Sequence, residues 1–404
     1  MTVALVLLCL AGVGFLFVFA KSQAFKIEAA GSKLHSPASY HGYFAVLIGA
    51  GPAITVWIAA NWLGLAEILT IIVVLLASGI GVWLAFRQKS ADFRARNRVE
   101  HFIEIIMAAV SFLAVVTTFS IFIALVAESF RFFAKVPVMD FLFGLQWSPQ
   151  TAIRDDQVGA TGAFGAVPLL TGTLMVTLIA MLTAIPLGVM SAIYLSEYAS
   201  ERVHAVVKPI LELLAGVPTV VYGFFALLVV GPAVADGAQL FADLLGVDYR
   251  PPAQNALAAG LVMGVMIIPF VSSLADDVIS SIPRSLEEGA LAVGARKSEA
   301  IINIILPAAA PGLVGAFLLA ISRAIGETMI VVMAASRSAN LTADPLDRVT
   351  TITVQIVALL TGDQEFDSPK TLSAFALGLV LFLTTLAINV VALMIVKKYR
   401  TRYD

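Results

Sequence analysis

Charge is scarce in this sequence. Only 13% of the 404 residues are charged, whereas 60% are hydrophobic, and the mean hydropathy is +0.96. Because about a quarter of the residues in soluble domains are charged, this composition excludes a cytosolic enzyme. The net charge of −2 provides no overall field for a polyanionic partner, and binding to nucleic acid is not expected.

Residues for metal and covalent chemistry are also missing. The single cysteine, Cys9, can form neither an internal disulfide nor a thiolate cluster, and the four histidines form no H-x-x-x-H pair. The dipeptide Gly-Lys never occurs, which excludes the phosphate-binding loop of an ATPase, and G-x-S-x-G, H-E-x-x-H and C-x-x-C are absent. We therefore expect no catalytic residues, no metal site and no cofactor, with ATP bound by another chain.

Long apolar runs dominate the chain instead. A transmembrane helix needs about 20 apolar residues to cross about 30 Å of hydrocarbon. The first candidate run lacks the basic start and cleavage site of a signal peptide and is interpreted as a retained helix, with a cleaved leader as the alternative. The predicted fold is an all-α polytopic membrane protein with nine spans, near 1–20, 43–63, 66–86, 102–127, 168–195, 211–234, 256–275, 308–335 and 371–396.

The distribution of basic residues orients these spans. Seventeen Lys and Arg lie in one alternating set of connecting segments and seven in the other set. Because basic residues favour the cytoplasmic side, the N-terminus is predicted outside and the C-terminus inside. A basic stretch from Arg87 to Arg98 separates a three-span extension, 1–100, from a six-span core, 101–404.

A cytoplasmic segment of the core, 282–306, has the pattern of a short helix across the membrane face. Glu287 and Glu288 fall in its early turns, where carboxylates favour the helix dipole. Gly294 allows a left-handed stop, and a second amphipathic stretch is expected to end at Pro307 before the next span. The preceding Asp276 and Asp277 are interpreted as solvated charges.

This segment resembles the coupling loop of the membrane subunits of bacterial ABC importers. In that loop, E-A-A is followed after three residues by Gly and after nine more by I-x-L-P. The one departure here is Gly289 in place of the first Ala. The resemblance implies a helix that docks into a groove of an ATP-hydrolysing subunit, with an ordinary amphipathic loop as the alternative. The residues it assigns to ATPase coupling are Glu287, Glu288, Gly289, Ala290, Gly294, Leu306 and Pro307.

Arg323 is the only basic residue inside a predicted span. A charge at that depth costs at least about 2.5–3.5 kcal/mol, so its side chain is expected to face the bundle interior or a water-filled path. Glu327 follows four residues later, on nearly the same helix face. Two interpretations stay open. Either Arg323 offers its planar guanidinium to a passing oxyanion while Glu327 holds or releases it, or the two residues form an ion pair that fixes helix packing.

An interruption by Gly216, Val217 and Pro218 lies near the cytoplasmic side of another span. Because proline is tolerated at the first helical position, a helix is predicted to restart there. This feature is interpreted either as a gate lining the path or as a kink for packing. Three hydroxyls of the preceding span either line the path or bond to their own helix backbone: Thr171, Thr173 and Thr177.

The stretches 214–225 and 320–329 closely resemble phosphate-importer permeases. The run Arg-Ala-Ile-Gly-Glu-Thr-Met is more similar to the PstC type than to its PstA-type partner, and 183–198 resembles the same family. The resemblance extends over about residues 160–396 and says little about the extension. The residues assigned to the substrate pathway are Gly216, Pro218, Thr219, Tyr222, Arg323, Glu327 and Thr328.

The resemblance implies a permease subunit that imports inorganic phosphate through the bacterial inner membrane by alternating access. It implies a homologous PstA-type permease, two cytosolic ATP-binding subunits and a periplasmic phosphate-binding protein as partners, and contact with membrane lipid. The acidic outer loop 336–370 is expected to meet the binding protein. Alternatives are another oxyanion (sulfate, molybdate or phosphonate), a proton-coupled carrier that uses Glu327, or a scaffold that only docks.

Overall fold

The computed structural model describes residues 14, 16–26, 28, 34–64, 67–87, 93–149, 162–361 and 367–400. The chain divides into two compact units, Met1–Ser120 and Ile121–Asp404. The predicted span 1–20 lies largely outside the described residues. The predicted boundary at residue 100 falls inside one long helix, α3, which spans Ala95–Phe133.

The first unit contains a tightly packed helical hairpin. Helix α1 covers Ala38–Trp62 and helix α2 covers Glu67–Arg87. A Cβ atom at Gly81 would lie 2.0 Å from the carbonyl oxygen of Ile48. Glycine is therefore required where the two backbones meet.

The second unit is predominantly helical. Its elements after α3 are α4 (Val138–Phe143), β1 (Trp147–Ser148), β2 (Ala163–Phe164), α5 (Val167–Ile193), α6 (Glu201–Ala215), α7 (Thr219–Phe225), α8 (Gly231–Leu244), α9 (Ala256–Ser280), α10 (Arg284–Ala292), α11 (Lys297–Ala300), α12 (Leu306–Ile325), α13 (Met329–Ala334), α14 (Ile352–Leu360) and α15 (Pro369–Arg400). A π turn at Tyr194–Tyr198 extends α5, a second at Ala226–Val230 joins α7 to α8, and a third at Ile301–Ile305 joins α11 to α12.

Six helical runs in the described part of the chain are long and apolar enough to cross a membrane: Ala95–Phe133, Val167–Tyr198, Thr219–Leu244, Ala256–Ser280, Lys297–Ile325 and Pro369–Lys398. They overlap the six predicted spans of the core. Within α2, Thr70–Trp83 is a shorter apolar helix. The nine-span count stays a prediction.

The predicted bounds of two spans are wrong. The run predicted at 211–234 begins only at Thr219, because residues up to Ala215 belong to the separate amphipathic helix α6. The run predicted at 308–335 ends at Ile325, because α12 is capped at Gly326 and the next helix begins only at Met329. Apolar residues lie on both sides of each interruption, so hydropathy averaged over a window could not place these ends.

Helix α9 forms the centre of the second unit and is the most buried of the candidate spans. Its small residues let α5 approach closely: a Cβ atom at Gly264 would lie 2.8 Å from the Cβ of Thr183. Met263 and Ile267 of α9 are fully buried in the main apolar cluster, together with residues of α5, α12 and α13. This core positions α7, α12 and α13.

A second, aromatic cluster lies on the predicted outer side. Strands β1 and β2 pair antiparallel, with Trp147 opposite Phe164. Phe132 and Phe141 pack edge-on with a ring-centroid separation of 5.2 Å, and both are fully buried. Trp147 donates a hydrogen bond of 3.1 Å from Nε1 to Oε1 of Gln355, which ties the strand pair to α14.

Candidate functional site

The helix break between α12 and α13 is held in place by hydrogen bonds. Glu327 Oε1 accepts from the backbone N–H groups of Met329 (3.0 Å) and Ile330 (3.4 Å), so this carboxylate caps α13. The hydroxyl of Thr353 donates to the carbonyl oxygen of Glu327 at 2.7 Å. Backbone freed from a membrane helix needs such partners, and irregular backbone within a membrane is typical of protein-lined cavities.

Arg323 lies in the last turn of α12 and is exposed in the isolated chain. Its guanidinium is 5.1 Å from the ring centroid of Phe270, near the middle of α9. Among the described residues, Arg323 forms no ion pair. The prediction that Arg323 and Glu327 share one helix face is wrong, because α12 ends between them and Glu327 turns to α13.

The break at Gly216–Pro218 has the predicted form. Helix α6 ends at Ala215, and Pro218 is the N-cap of α7, which begins at Thr219. The hydroxyl of Tyr222 donates back across the break to the carbonyl oxygen of Leu214 at 3.3 Å. The restart of the helix at this proline is therefore confirmed, and the role of the break as a gate stays a prediction.

The two breaks lead into helices that pack against each other. A Cβ atom at Gly223 of α7 would lie 3.0 Å from the carbonyl oxygen of Met329 and 3.2 Å from the Cα of Ile330 in α13. Tyr222 packs against the core cluster that contains Ile330. Two segments about one hundred residues apart in the chain, both predicted to line a path, are thus brought to one place.

Hydroxyl groups form a buried seam beside this place. Thr173 donates to the carbonyl oxygen of Leu169 (2.7 Å) and accepts from the N–H of Ile352 (3.1 Å). Thr351 and Thr353 are linked by a 2.9 Å hydrogen bond. Thr351 and Thr353 are not among the predicted pathway residues, although Thr-Thr-Ile-Thr-Val-Gln at 350–355 is an unusually polar start for an apolar helix.

Of the three hydroxyls predicted on α5, two bond within their own helix. Thr171 donates to the carbonyl oxygens of Val167 and Pro168, as Thr173 does to that of Leu169. The hydroxyl of Thr177 is buried and has no hydrogen-bond partner among the described residues. For Thr171 and Thr173, the structure therefore agrees with the second interpretation, in which the hydroxyl bonds to the backbone of its own helix.

The predicted coupling segment contains a short helix, α10. Gly294 follows it with φ +92° and provides the predicted left-handed stop. Glu288 and Gly289 are exposed, whereas Ala290 is buried and Glu287 is half-buried. The exposed side also presents Leu286, Leu291 and Val293.

Pro307 does not end the second amphipathic stretch, contrary to prediction. The helical run continues from Lys297 to Ile325 with Leu306 and Pro307 in the first turn of α12. The preceding π turn shifts the bonding, and the N–H of Leu306 donates to the carbonyl oxygen of Ile301, five residues back. Because this π turn replaces the ordinary bonding directly before Pro307, the run passes through a residue that has no backbone N–H.

Asp276 is buried, so the prediction that it is a solvated charge is wrong. It is 2% exposed, and its Oδ2 lies 2.8 Å from Nζ of Lys208 and 3.3 Å from Nε2 of His204. Asp277 is largely exposed and pairs with the same Lys208 at 2.8 Å. Hydrogen bonds from Lys208 to Asp276 and then Asp277 raise the pKa of this lysine above its ordinary value. These contacts fix α6 against the end of α9.

Comparison with known families and proteins identifies the membrane core. A family model described as "Binding-protein-dependent transport system inner membrane component" matches residues 184–401, and a second, described as "Phosphate ATP-binding cassette transporter", matches residues 4–74. A methionine ABC transporter, MetNI, aligns over 58% of this chain and 94% of its own with a TM-score of 0.39 and 16% identity.

Curated relatives match a similar region. The probable ABC transporter permease YqgH of Bacillus subtilis is 34% identical, covering 61% of this chain and 74% of its own. The phosphate transport system permease PstC of Xylella fastidiosa (strain 9a5c) is 33% identical, covering 63% of this chain and 77% of its own. PstC 1 of Mycobacterium tuberculosis is 32% identical, covering 63% of this chain and 80% of its own. This chain therefore belongs to the family of inner-membrane components of binding-protein-dependent transport systems, the permease subunits of ABC importers.

Proposed function

We propose that this chain imports inorganic phosphate through the bacterial inner membrane as one permease subunit of an ATP-driven transporter. The names of its PstC relatives support this cargo. The observation that carries the proposal is Arg323, a guanidinium beside the middle of α9 that forms no ion pair among the described residues. Its planar donors suit two oxygens of a tetrahedral oxyanion.

Glu327 supports this role by its position. Because its carboxylate caps α13, it does not neutralise the charge of Arg323. One unneutralised guanidinium attracts an anion, and a lone cation holds it weakly enough for release. High-affinity capture is assigned to a separate periplasmic phosphate-binding protein, and Gly216, Pro218, Thr219, Tyr222 and Thr328 are proposed to complete the path.

The exposure of Arg323 supports a second permease chain. A charge facing lipid costs at least about 2.5–3.5 kcal/mol, so a homologous PstA-type subunit is proposed to enclose it. Two cytosolic ATP-binding subunits would bind ATP and dock on α10, moving the bundle between outward-open and inward-open states. The chain itself is proposed to perform no covalent step and to hold no cofactor.

Phosphate uptake by the assembled transporter tests the proposal. Proteoliposomes that contain the complex, ATP and labelled phosphate compare wild type with Arg323→Gln. Loss of a charge-assisted contact worth about 1.5–3 kcal/mol should lower uptake about 10- to 150-fold. Arg323→Lys should retain part of the activity, because it keeps the charge without the planar fork.

The matched control is Arg94→Gln, an exposed arginine just before α3 and outside the segments proposed to line the path. It should leave uptake unchanged. Equal uptake by Arg323→Gln and wild type would refute the pathway role. Stronger competition by sulfate, molybdate or phosphonate than by unlabelled phosphate would reassign the cargo, and uptake without ATP under an imposed proton gradient would indicate a proton-coupled carrier.

A further inference from the structure

Lys297, at the start of α11, joins three elements on the predicted cytoplasmic face. Its Nζ lies 3.6 Å from Oε1 of Glu287 in α10 and 3.9 Å from Oε2 of Glu197 at the end of the α5 run. The same ammonium donates to the backbone carbonyl of Glu197 and lies 5.3 Å from the ring centroid of Tyr198. We call this arrangement of Glu197, Tyr198, Glu287 and Lys297 the lysine node.

The lysine node is partly shielded from water. The side chains of Glu197 and Glu287 are 11% and 22% exposed, and that of Lys297 is 42% exposed. Ion pairs at such sites are screened less than pairs in open solvent. The contacts to a carboxylate, a carbonyl and an aromatic face restrict Lys297 to one position, which a single surface pair would not do.

Helix α10 has few other anchors of its own. Ala290 is its one buried residue. By contrast, α5 contributes Val176, Ala180 and Ala184 to the main apolar cluster. A displacement of α10 therefore reaches the α5 run directly through the lysine node, instead of only through the connections at either end of α10.

We infer that Lys297 is a positioning residue that transmits the movement of α10 to the α5 span. This inference rests on the proposed function, in which ATP-binding subunits dock on α10. The bond network makes α10 and the cytoplasmic end of α5 move as one body. Without Lys297, α10 can still dock and ATP can still be hydrolysed, but the span does not follow.

The first test measures uptake and ATP hydrolysis together in proteoliposomes. Lys297→Met should lower the phosphate taken up per ATP hydrolysed by at least about fivefold, the lower end of usual coupling between sites. Lys297→Arg should restore much of the ratio, because it keeps the charge. Arg296→Met is the matched control: it removes a neighbouring exposed positive charge and should leave the ratio unchanged.

A merely structural role would lower assembly or ATPase activity and leave the ratio intact. If Lys297→Met does not assemble, Glu197→Gln takes its place, since it removes one carboxylate of the node outside the docking helix, and a fall in the ratio is again expected. A ratio equal to that of wild type in the assembled variant overturns the inference.

A second test does not depend on the cargo. In a Cys9→Ser background, spin labels at Ser285 in α10 and Met190 in α5, both exposed, report the distance between the two helices. In wild type, the distribution of distances between the two labels should stay narrow with and without ATP. In Lys297→Met, this distribution should broaden or shift. An unchanged distribution in the variant overturns the inference. If the wild type fails to import phosphate while the distances behave as expected, the proposed cargo is wrong and the linkage stands.

Discussion

Replacement of Lys208 by methionine should release α6 from the end of α9. The carboxylate of Asp276 would stay buried with only His204 beside it, 3.3 Å away. Removal of one partner from a buried ion pair typically costs about 3–5 kcal/mol, because the other charge is left uncompensated. That free energy corresponds to about a 100- to 4,000-fold increase in the equilibrium constant for opening of α6.

Two further variants separate this effect from loss of surface charge. Asp277→Asn removes a contact of the same length to Lys208, but the side chain of Asp277 is 62% exposed, so the cost should be at most about 1 kcal/mol. The double variant Lys208→Met with Asp276→Asn removes the buried charge as well. It should recover most of the loss seen in Lys208→Met alone.

Hydrogen exchange of the α6 amides in the assembled transporter measures the opening. Since the two carboxylates raise the pKa of Lys208, its contribution is fully present below the ordinary lysine pKa of about 10.4 and is lost only as the pH rises through the higher folded value. The contribution of Lys208 should therefore be constant between about pH 6 and 9. Protection of α6 in Lys208→Met equal to that in wild type, or equal to that in Asp277→Asn, would show that the reasoning from buried charge is wrong.

Three other perturbations have defined outcomes. The hydrogen bond of 2.6 Å from the Tyr249 hydroxyl to Asp344 raises the pKa of Tyr249 to about 12. This contact therefore stabilises the outer loops below about pH 10 and is lost towards pH 12. The ultraviolet absorbance of phenolate measures this transition. Gly264→Val places a branched side chain against Thr183 and should lower the free energy of unfolding by about 1–3 kcal/mol. Gly294→Trp, at φ +92° with open space around it, should insert normally and hydrolyse ATP without importing phosphate.

Each of these outcomes has its own control. Tyr249→Phe should remove the late phenolate transition. Gly237→Val, at a glycine of α8 with no atom within 4 Å of an added Cβ, should cost less than Gly264→Val in thermal unfolding. Full phosphate uptake by Gly294→Trp would exclude α10 as the docking helix.

Local sequence signals predicted several features of the site correctly. Pro218 predicted the restart of α7, and Gly294 predicted the end of α10, because proline and glycine restrict backbone geometry at their own positions. The six apolar runs of the core could be located because crossing a membrane needs length and hydropathy alone. The roles of the assigned site residues stay predictions.

Long-range contacts could not be read from the same signals. Asp276 resembles any cytoplasmic carboxylate in the sequence, and only the folded chain brings Lys208 to it, 68 residues away. Lys297 reaches Glu197 across 100 residues. The expected pair of Arg323 and Glu327 depended on an unbroken helix, and the break at Gly326 redirected the carboxylate.

The aromatic cluster at β1 gives this protein an intrinsic optical reporter. Trp147 is 8% exposed and bonds to Gln355, whereas the other three tryptophans, Trp57, Trp62 and Trp83, are at least half exposed. In a variant whose other three tryptophans are replaced by phenylalanine, the emission of Trp147 should resist quenching by acrylamide. A red shift of this component during turnover would register separation of α14 from the strand pair without any attached dye.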